Sequence, residues 1–181
     1  MANLKEIRGR IKSIKSIQKV TSAMKMVAAA KLRTSQSNME QCRPYSTKIS
    51  ILMNDLLSEC NNVNFDLMKK REISKNLYVV ITSDRGMAGA FNTNILKKAQ
   101  ADIDINGKDN AMVISIGKKS RDYFKNRNFD IVSEHIDFWG NLNFDYAIDI
   151  GQEIVDLFIS DKVGQVKVYY NEFKNLATQT I

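Results

Sequence analysis

Residues 1–33, MANLKEIRGRIKSIKSIQKVTSAMKMVAAAKLR, set nine Lys or Arg residues against one acid, Glu6, on a stretch whose apolar residues recur at coiled-coil spacing. Leu4, Ile7, Ile11 and Ile14 follow in steps of three, four and three, a seam that wants a partner helix. The register then breaks: the next heptad positions hold Gln18, Thr21 and Lys25, while Ile17, Val20, Met24 and Val27 form a second seam. A step of three from Ile14 to Ile17, where four is due, is a stammer that overwinds a supercoil locally. On a wheel at about 100° per residue, Lys5, Arg8, Lys12, Lys15 and Lys19 make one cationic stripe beside the first seam.

The charge has a location. The 181-residue chain carries a formal +7, and once residues 1–33 are set aside, 18 basic and 19 acidic residues remain and nearly cancel. A local cationic face suits an acidic protein surface, nucleic acid or anionic lipid. Nucleic-acid binding would make phosphate contacts and a steep salt dependence, but no aromatic residues are interleaved with the stripe. A membrane-surface helix would offer Trp, Phe or Leu, and this one offers Ile, Val, Met and Ala. The small side chains of MVAAAKL fit the close approach of another helix or a tight protein sleeve. A protein partner is expected, with a basic coiled-coil adaptor for nucleic acid as the alternative.

Cys42 and Cys60 would stand about 27 Å apart on one straight helix, too far to pair, which suits a reducing compartment. The N-terminus has no apolar signal-peptide core, and no uncharged run approaches the roughly 18 residues that span a bilayer. A cytosolic bacterial protein is the expectation.

Helical spacing continues through Tyr45, Ile49, Leu52, Leu56 and Cys60. Pro44 interrupts it, so two helices broken near Arg43 compete with one bent helix of about 85 Å. The predicted divisions are a long basic amphipathic helix over 1–60, a polar connector over 61–76 and an α/β domain over 77–181. LYVVIT (77–82) and AMVISIG (111–117) are short β-branched runs without polar alternation, as in strands buried on both faces. FDIVSEHI (129–136) and VKVYYNEF (166–173) give a third and a fourth strand. TNILKKAQADI, KKSRDYFKNR and FDYAIDIGQEIVDLFISD (144–161) read as helices, the last presenting Tyr146, Ala147, Ile150, Ile154, Leu157 and Phe158 on one face. Alternating strands and helices predict an open, largely parallel, Rossmann-like sheet with flanking helices.

SDRGMAGAFN lies where such a fold places a phosphate loop. It has only Gly86 and Gly89, not the three glycines of a dinucleotide fingerprint, so a structural tight turn is expected over an anion site at Arg85. Gly117-Lys118-Lys119-Ser120 lacks the glycine a P-loop needs five positions earlier, where Met112 stands, and is expected to start a helix with exposed lysines. His135 is the only histidine, which leaves no His-based metal cluster, and a strand-end histidine is expected. Asp102, Asp104, Asp109, Asp145 and Asp149 are expected on solvated loops and helix starts. No catalytic, cofactor-binding or metal-ligating constellation emerges.

LKEIRGRIKSIKSIQKVTSAMKMVAAAKLR, followed by Arg43-Pro44-Tyr45, resembles the N-terminal helix of the gamma subunit of F-type ATP synthases. SDRGMAGAFN resembles that family's SDRG-L-C-G-G-F-N motif, with Met87, Ala88 and Ala90 replacing Leu, Cys and Gly, and IGKKSRDYF is also similar. The resemblance implies a non-catalytic central rotor shaft in a proton-transporting rotary complex. Its partners would be the alpha, beta and epsilon subunits, the membrane c-ring and the C-terminal helix of its own full-length chain, with no nucleic acid. Membrane contact would be indirect, at the cytoplasmic face of the bacterial plasma membrane. By the same resemblance, Met24, Lys25 and Met26, with Lys12, Lys15 and Lys19, would face beta subunits. Leu4, Ile7, Ile11, Ile14, Ile17, Val20 and Val27 would form the seam of an antiparallel coiled coil. Ser83, Asp84, Arg85, Gly86, Gly89, Phe91 and Asn92 would shape the foot domain as structure. Family members run on for roughly a hundred residues into the partner helix, so a truncated chain unable to support rotary coupling alone is the expectation.

Overall fold

The computed structural model describes residues 3–59, 66–69, 71–72, 75–140, 142–175 and 179–181. Cys60, and with it the separation predicted from Cys42, lies outside the described residues, as does much of the 61–76 connector. The chain divides into two units, Met1–Val63 and Asn64–Ile181.

The first unit is helix α1, Leu4–Glu59, 56 residues in one run and about 84 Å long at 1.5 Å per residue. Asn3 starts it: its carbonyl accepts from the Glu6 and Ile7 amides and its side-chain oxygen accepts from Lys5 N–H at 3.3 Å. Pro44 sits inside the helix and does not end it. The missing amide and the ring's clash with the preceding turn cost about 3 kcal/mol in a helix interior. Solvent around this exposed helix can hydrate the Glu40 carbonyl that Pro44 leaves without its usual donor. Thr21, Thr34, Thr47 and Ser50 return their hydroxyl protons to carbonyls four residues back, so these polar side chains ride the helix and do not compete with it. No residue of α1 is buried.

The second unit alternates β1 (Asn76–Ile81), α2 (Phe91–Asn106), β2 (Ala111–Ile116), α3 (Lys118–Lys125), β3 (Asp130–His135), α4 (Phe144–Ile159) and β4 (Gln165–Tyr169). The four strands are parallel in the order β3-β2-β1-β4. Period-two alternation along the central strands explains the three layers. Tyr78, Val80 and Val113 face α2 and α3, meeting Ile95, Leu96, Ala99, Ile103 and Phe124. Leu77, Val79, Ile114 and Ile116 point the other way, toward Leu157 of α4. Strands covered on both sides carry no polar alternation, which is why LYVVI and MVISI read as continuous apolar runs.

Three sequence expectations are corrected. The single strand over 166–173 is two: β4 in the sheet, then β5 (Glu172–Phe173) antiparallel to β6 (Gln179–Thr180). Past the Val80–Tyr169 pair the chain leaves β1, and Asn171 donates to the Phe91 carbonyl at 3.2 Å. Ala147 is exposed, since it lies outside the arc through Tyr146, Ile150, Ile154 and Leu157 that meets the sheet. Asp102 is half-buried on α2 and partnered, not solvated.

Candidate functional site: an exposed basic helix and the turn after the first strand

Along α1 both seams and the cationic stripe are open. Leu4, Ile7, Ile11, Ile14, Ile17, Val20, Met24, Met26 and Val27 are all exposed, Ile14 at 65%. Lys12, Lys15, Lys19 and Lys25 are exposed as well. Glu6 is spent on Arg10 at 2.7 Å, four residues along, and no other acid occurs before Glu40. Roughly nine helical turns therefore hold only positive charge at 3.6 residues per turn. Burying apolar surface of this extent would be worth about 25 cal/mol per Å², which makes it a candidate interaction surface. The structure brings the predicted seam and shaft residues together on one element.

Ser83 to Asn92 fold into a turn held by its own side chains. The Ser83 amide donates to Asn92 Oδ1 at 3.0 Å, and Asn92 Nδ2 donates to Ser83 Oγ at 2.9 Å. The one hydroxyl proton of Ser83 goes to the Arg85 carbonyl at 2.6 Å. Met87 and Gly89 take positive φ, 57° and 55°, which reverses the chain into α2. Arg85, Gly86, Met87 and Gly89 are exposed and Phe91 is half-buried. Asp84 points away from this turn: Oδ1 accepts the Lys118 amide at the start of α3 (2.8 Å), and Oδ2 accepts the Asp137 amide (3.1 Å). A helix N-terminus attracts anions, and here the protein's own carboxylate fills that place. Lys118 is accordingly not a free exposed lysine; its ammonium pairs with Asp137 at 2.7 Å.

Gly117 explains the sequence GKKS without any phosphate. Its φ is +96°, and a Cβ there would lie 2.2 Å from the Thr82 carbonyl oxygen. Thr82 Oγ1 in turn accepts the Ser120 amide at 2.8 Å. Three crossovers, Thr82–Ser120, Asp84–Lys118 and Asp84–Asp137, lock the carboxyl ends of β1, β2 and β3 together.

Two further groups were invisible in the sequence because their partners are distant along it. His135, at the end of β3, meets Ser133, the Tyr146 hydroxyl and Glu153, all within 3.0–3.2 Å. On the opposite face of the sheet Asp102 accepts from Lys167 (2.6 Å) and from the Tyr169 hydroxyl (2.8 Å). The Lys167 hydrogen bond holds the Asp102 carboxyl below the usual carboxylate range. Burial, then the hydrogen bond to Asp102, push the Tyr169 phenol well above its ordinary value. Both groups stand at structural junctions. Among the described residues there is no cluster of His, Cys, Asp and Glu able to hold a metal ion, and no helix long and apolar enough to cross a membrane.

Comparison with known proteins places this geometry. The family model described as ATP synthase matches residues 3–181. The ATP synthase gamma chain of Desulforamulus reducens is 38% identical over 180 residues, covering 99% of this chain and 62% of that one. That of Chloroherpeton thalassium is 41% identical over 187 residues, covering 100% and 62%. The chain thus spans about three fifths of these relatives' length. Among solved structures, the central stalk and c-ring of Tetrahymena thermophila mitochondrial ATP synthase aligns with a TM-score of 0.65 and 25% identity, covering 89% of this chain and 69% of that one. The rotor of the Euglena gracilis mitochondrial enzyme shares the fold, with a TM-score of 0.59 and 21% identity over 96% and 58% of the two chains.

Proposed function

Because the chain belongs to the ATP synthase gamma-chain family, we propose that it is the shaft and foot of a rotary central stalk, coupling ion flow through a membrane ring to conformational cycling of catalytic sites on beta subunits. It performs no bond chemistry itself. The observation that carries this reading is α1: 56 residues, none buried, with two apolar seams and an unbroken cationic stretch.

Both seams, Leu4, Ile7, Ile11 and Ile14 and then Ile17, Val20 and Val27, take the C-terminal helix of the full-length chain as antiparallel partner. Lys12, Lys15, Lys19 and Lys25, with Met24 and Met26, face acidic loops of the beta subunits, inside a sleeve that the alpha subunits complete. Charge is the fitting device for a turning surface. A Coulombic attraction screened over about 8 Å at physiological salt varies gently with angle, whereas interdigitated side chains would lock one position. The α/β unit is the foot, where the turn from Ser83 to Asn92 is internal structure, and it meets epsilon and the c-ring at the cytoplasmic face of the bacterial plasma membrane.

The test is co-expression of this chain with alpha and beta subunits of a bacterial ATP synthase that lacks its own gamma, followed by gel filtration. The chain is expected to co-elute with them. The triple change Lys12→Glu, Lys15→Glu, Lys19→Glu is expected to weaken capture at least about tenfold, in the range of lost interfacial charge pairs. Failure to co-elute, or tight duplex DNA binding that falls steeply with salt, would overturn the reading.

A further inference from the structure

Helix α4 has one face more than a helix on a sheet requires. Its inner arc, through Tyr146, Ile150, Ile154 and Leu157, packs on the core. A second apolar line runs along the outside: Phe144, Ile148 and Ile159 are 69%, 50% and 46% exposed, and Val155 is half-buried. Gly151 falls on that line, and Phe144, Ile148, Gly151 and Val155 follow in steps of four, three and four, the spacing of a helix seam.

Gly151 is the telling position. Glycine inside a helix is destabilising relative to alanine, and nothing among the described residues crowds it: outside the helix's own backbone, none of their atoms lies within 4 Å of where its Cβ would stand. The space is open, so nothing among the described residues explains a glycine here.

Beside the line lie Asp145, Asp149 and Asp156, with Glu153, on a helix that contains no Lys or Arg. The helix dipole accounts for Asp145 in the first turn. It does not account for Asp149, and it disfavours Asp156 in the last turn. Among the described residues none of these three aspartates is in an ion pair. Glu153 is engaged by His135, and the Asp156 carboxylate accepts from Gln152 at 2.8 Å. The neighbouring cations are Arg71, paired with Asp161, and Lys162, at the end of the groove that Asp149, Glu153 and Asp156 line.

We propose that this face of α4 docks an amphipathic helix of a partner protein, whose apolar seam runs over Ile148, Gly151 and Val155 and whose Lys or Arg residues meet Asp149 and Asp156. The aspartates repel nucleic acid and anionic lipid, and a wholly apolar partner would leave them desolvated without a counter-charge. The inference does not depend on the role given to α1.

The probe is a fluorescein-labelled peptide of three Leu/Lys heptads, titrated into the full chain by anisotropy, with a Leu/Glu peptide of the same pattern as control. Micromolar binding of the basic peptide alone is expected, with amide-exchange protection concentrated in 144–159. Gly151→Leu is the decisive variant, because it favours the helix and raises the melting temperature while filling the notch; it is expected to weaken binding about tenfold or more. Asp149→Lys with Asp156→Lys should weaken it similarly, whereas Asp104→Lys on α2 should not. Equal binding of the acidic peptide, protection elsewhere, or unchanged binding by Gly151→Leu would overturn the proposal. So would concentration-dependent self-association through these residues, which would make a second copy the occupant.

Discussion

Ile14 and Ile95 are the same side chain on helices of the same handedness and pitch, yet the first is 65% exposed and the second fully buried. The difference is where each helix finds its partner. Helix α2 meets Tyr78, Val80 and Val113 within the chain, so its pattern of apolar residues describes a core. Helix α1 has an equally regular pattern and buries none of it, so its pattern describes faces left uncovered among the described residues. Periodicity reports that a face wants covering and not by what.

The largest effect that would sharpen this contrast is at Gly117. Gly117→Ala combines a left-handed backbone with a 2.2 Å approach to the Thr82 carbonyl, and is expected to cost about 3–5 kcal/mol in urea denaturation of the α/β unit. Next comes the matched pair itself. Ile95→Ala should cost about 2–4 kcal/mol, and Ile14→Ala no more than about 0.5 kcal/mol; comparable losses at both positions would erase the distinction. Asp102→Asn follows, at about 1–2 kcal/mol near neutral pH for a half-exposed carboxylate with a charged partner. Because the folded carboxyl is held low, its contribution is fully present above the unfolded value of about 4 and is lost as pH falls through the lower folded value. The gap between variant and parent should therefore close in acid. Smallest is the triple Lys12→Glu, Lys15→Glu, Lys19→Glu change, expected to leave the denaturation midpoint of the free chain almost unmoved, within about 0.5 kcal/mol. A large shift there would mean that α1 is held by its own chain after all.

What was legible follows the same division. Strands buried on both faces announce themselves by composition, and their alternation with helices makes the sheet parallel; the order β3-β2-β1-β4 was not legible, because right-handed crossovers permit other orders as well. The continuity of α1 at Pro44 was undecidable from periodicity, since a proline's local penalty competes with the summed preference of dozens of helical residues. The split of the last strand was hidden because VKVYYNEF carries β-formers on both sides of the break; only the fold shows the chain turning off at Asn171, whose side chain donates to the Phe91 carbonyl 80 residues away in sequence. Asp102 looked like one scattered acid among several, and only the fold sets Lys167 and Tyr169 against it. At the turn, two glycines where three were needed pointed to structure, but the role of Asp84 could not be read, because both amides it serves lie far along the chain.

That carboxylate has a consequence for the company the domain keeps. Parallel sheets of this kind usually leave the mouth of a strand–turn–helix empty, ready for a nucleotide to fill and so to be sensed. At the start of α3 that place is closed from within by Asp84, covalently supplied and never dissociating. An outside anion would have to displace a carboxylate that the chain itself tethers, so the junction of β1, β2 and β3 holds its geometry without depending on any solute concentration.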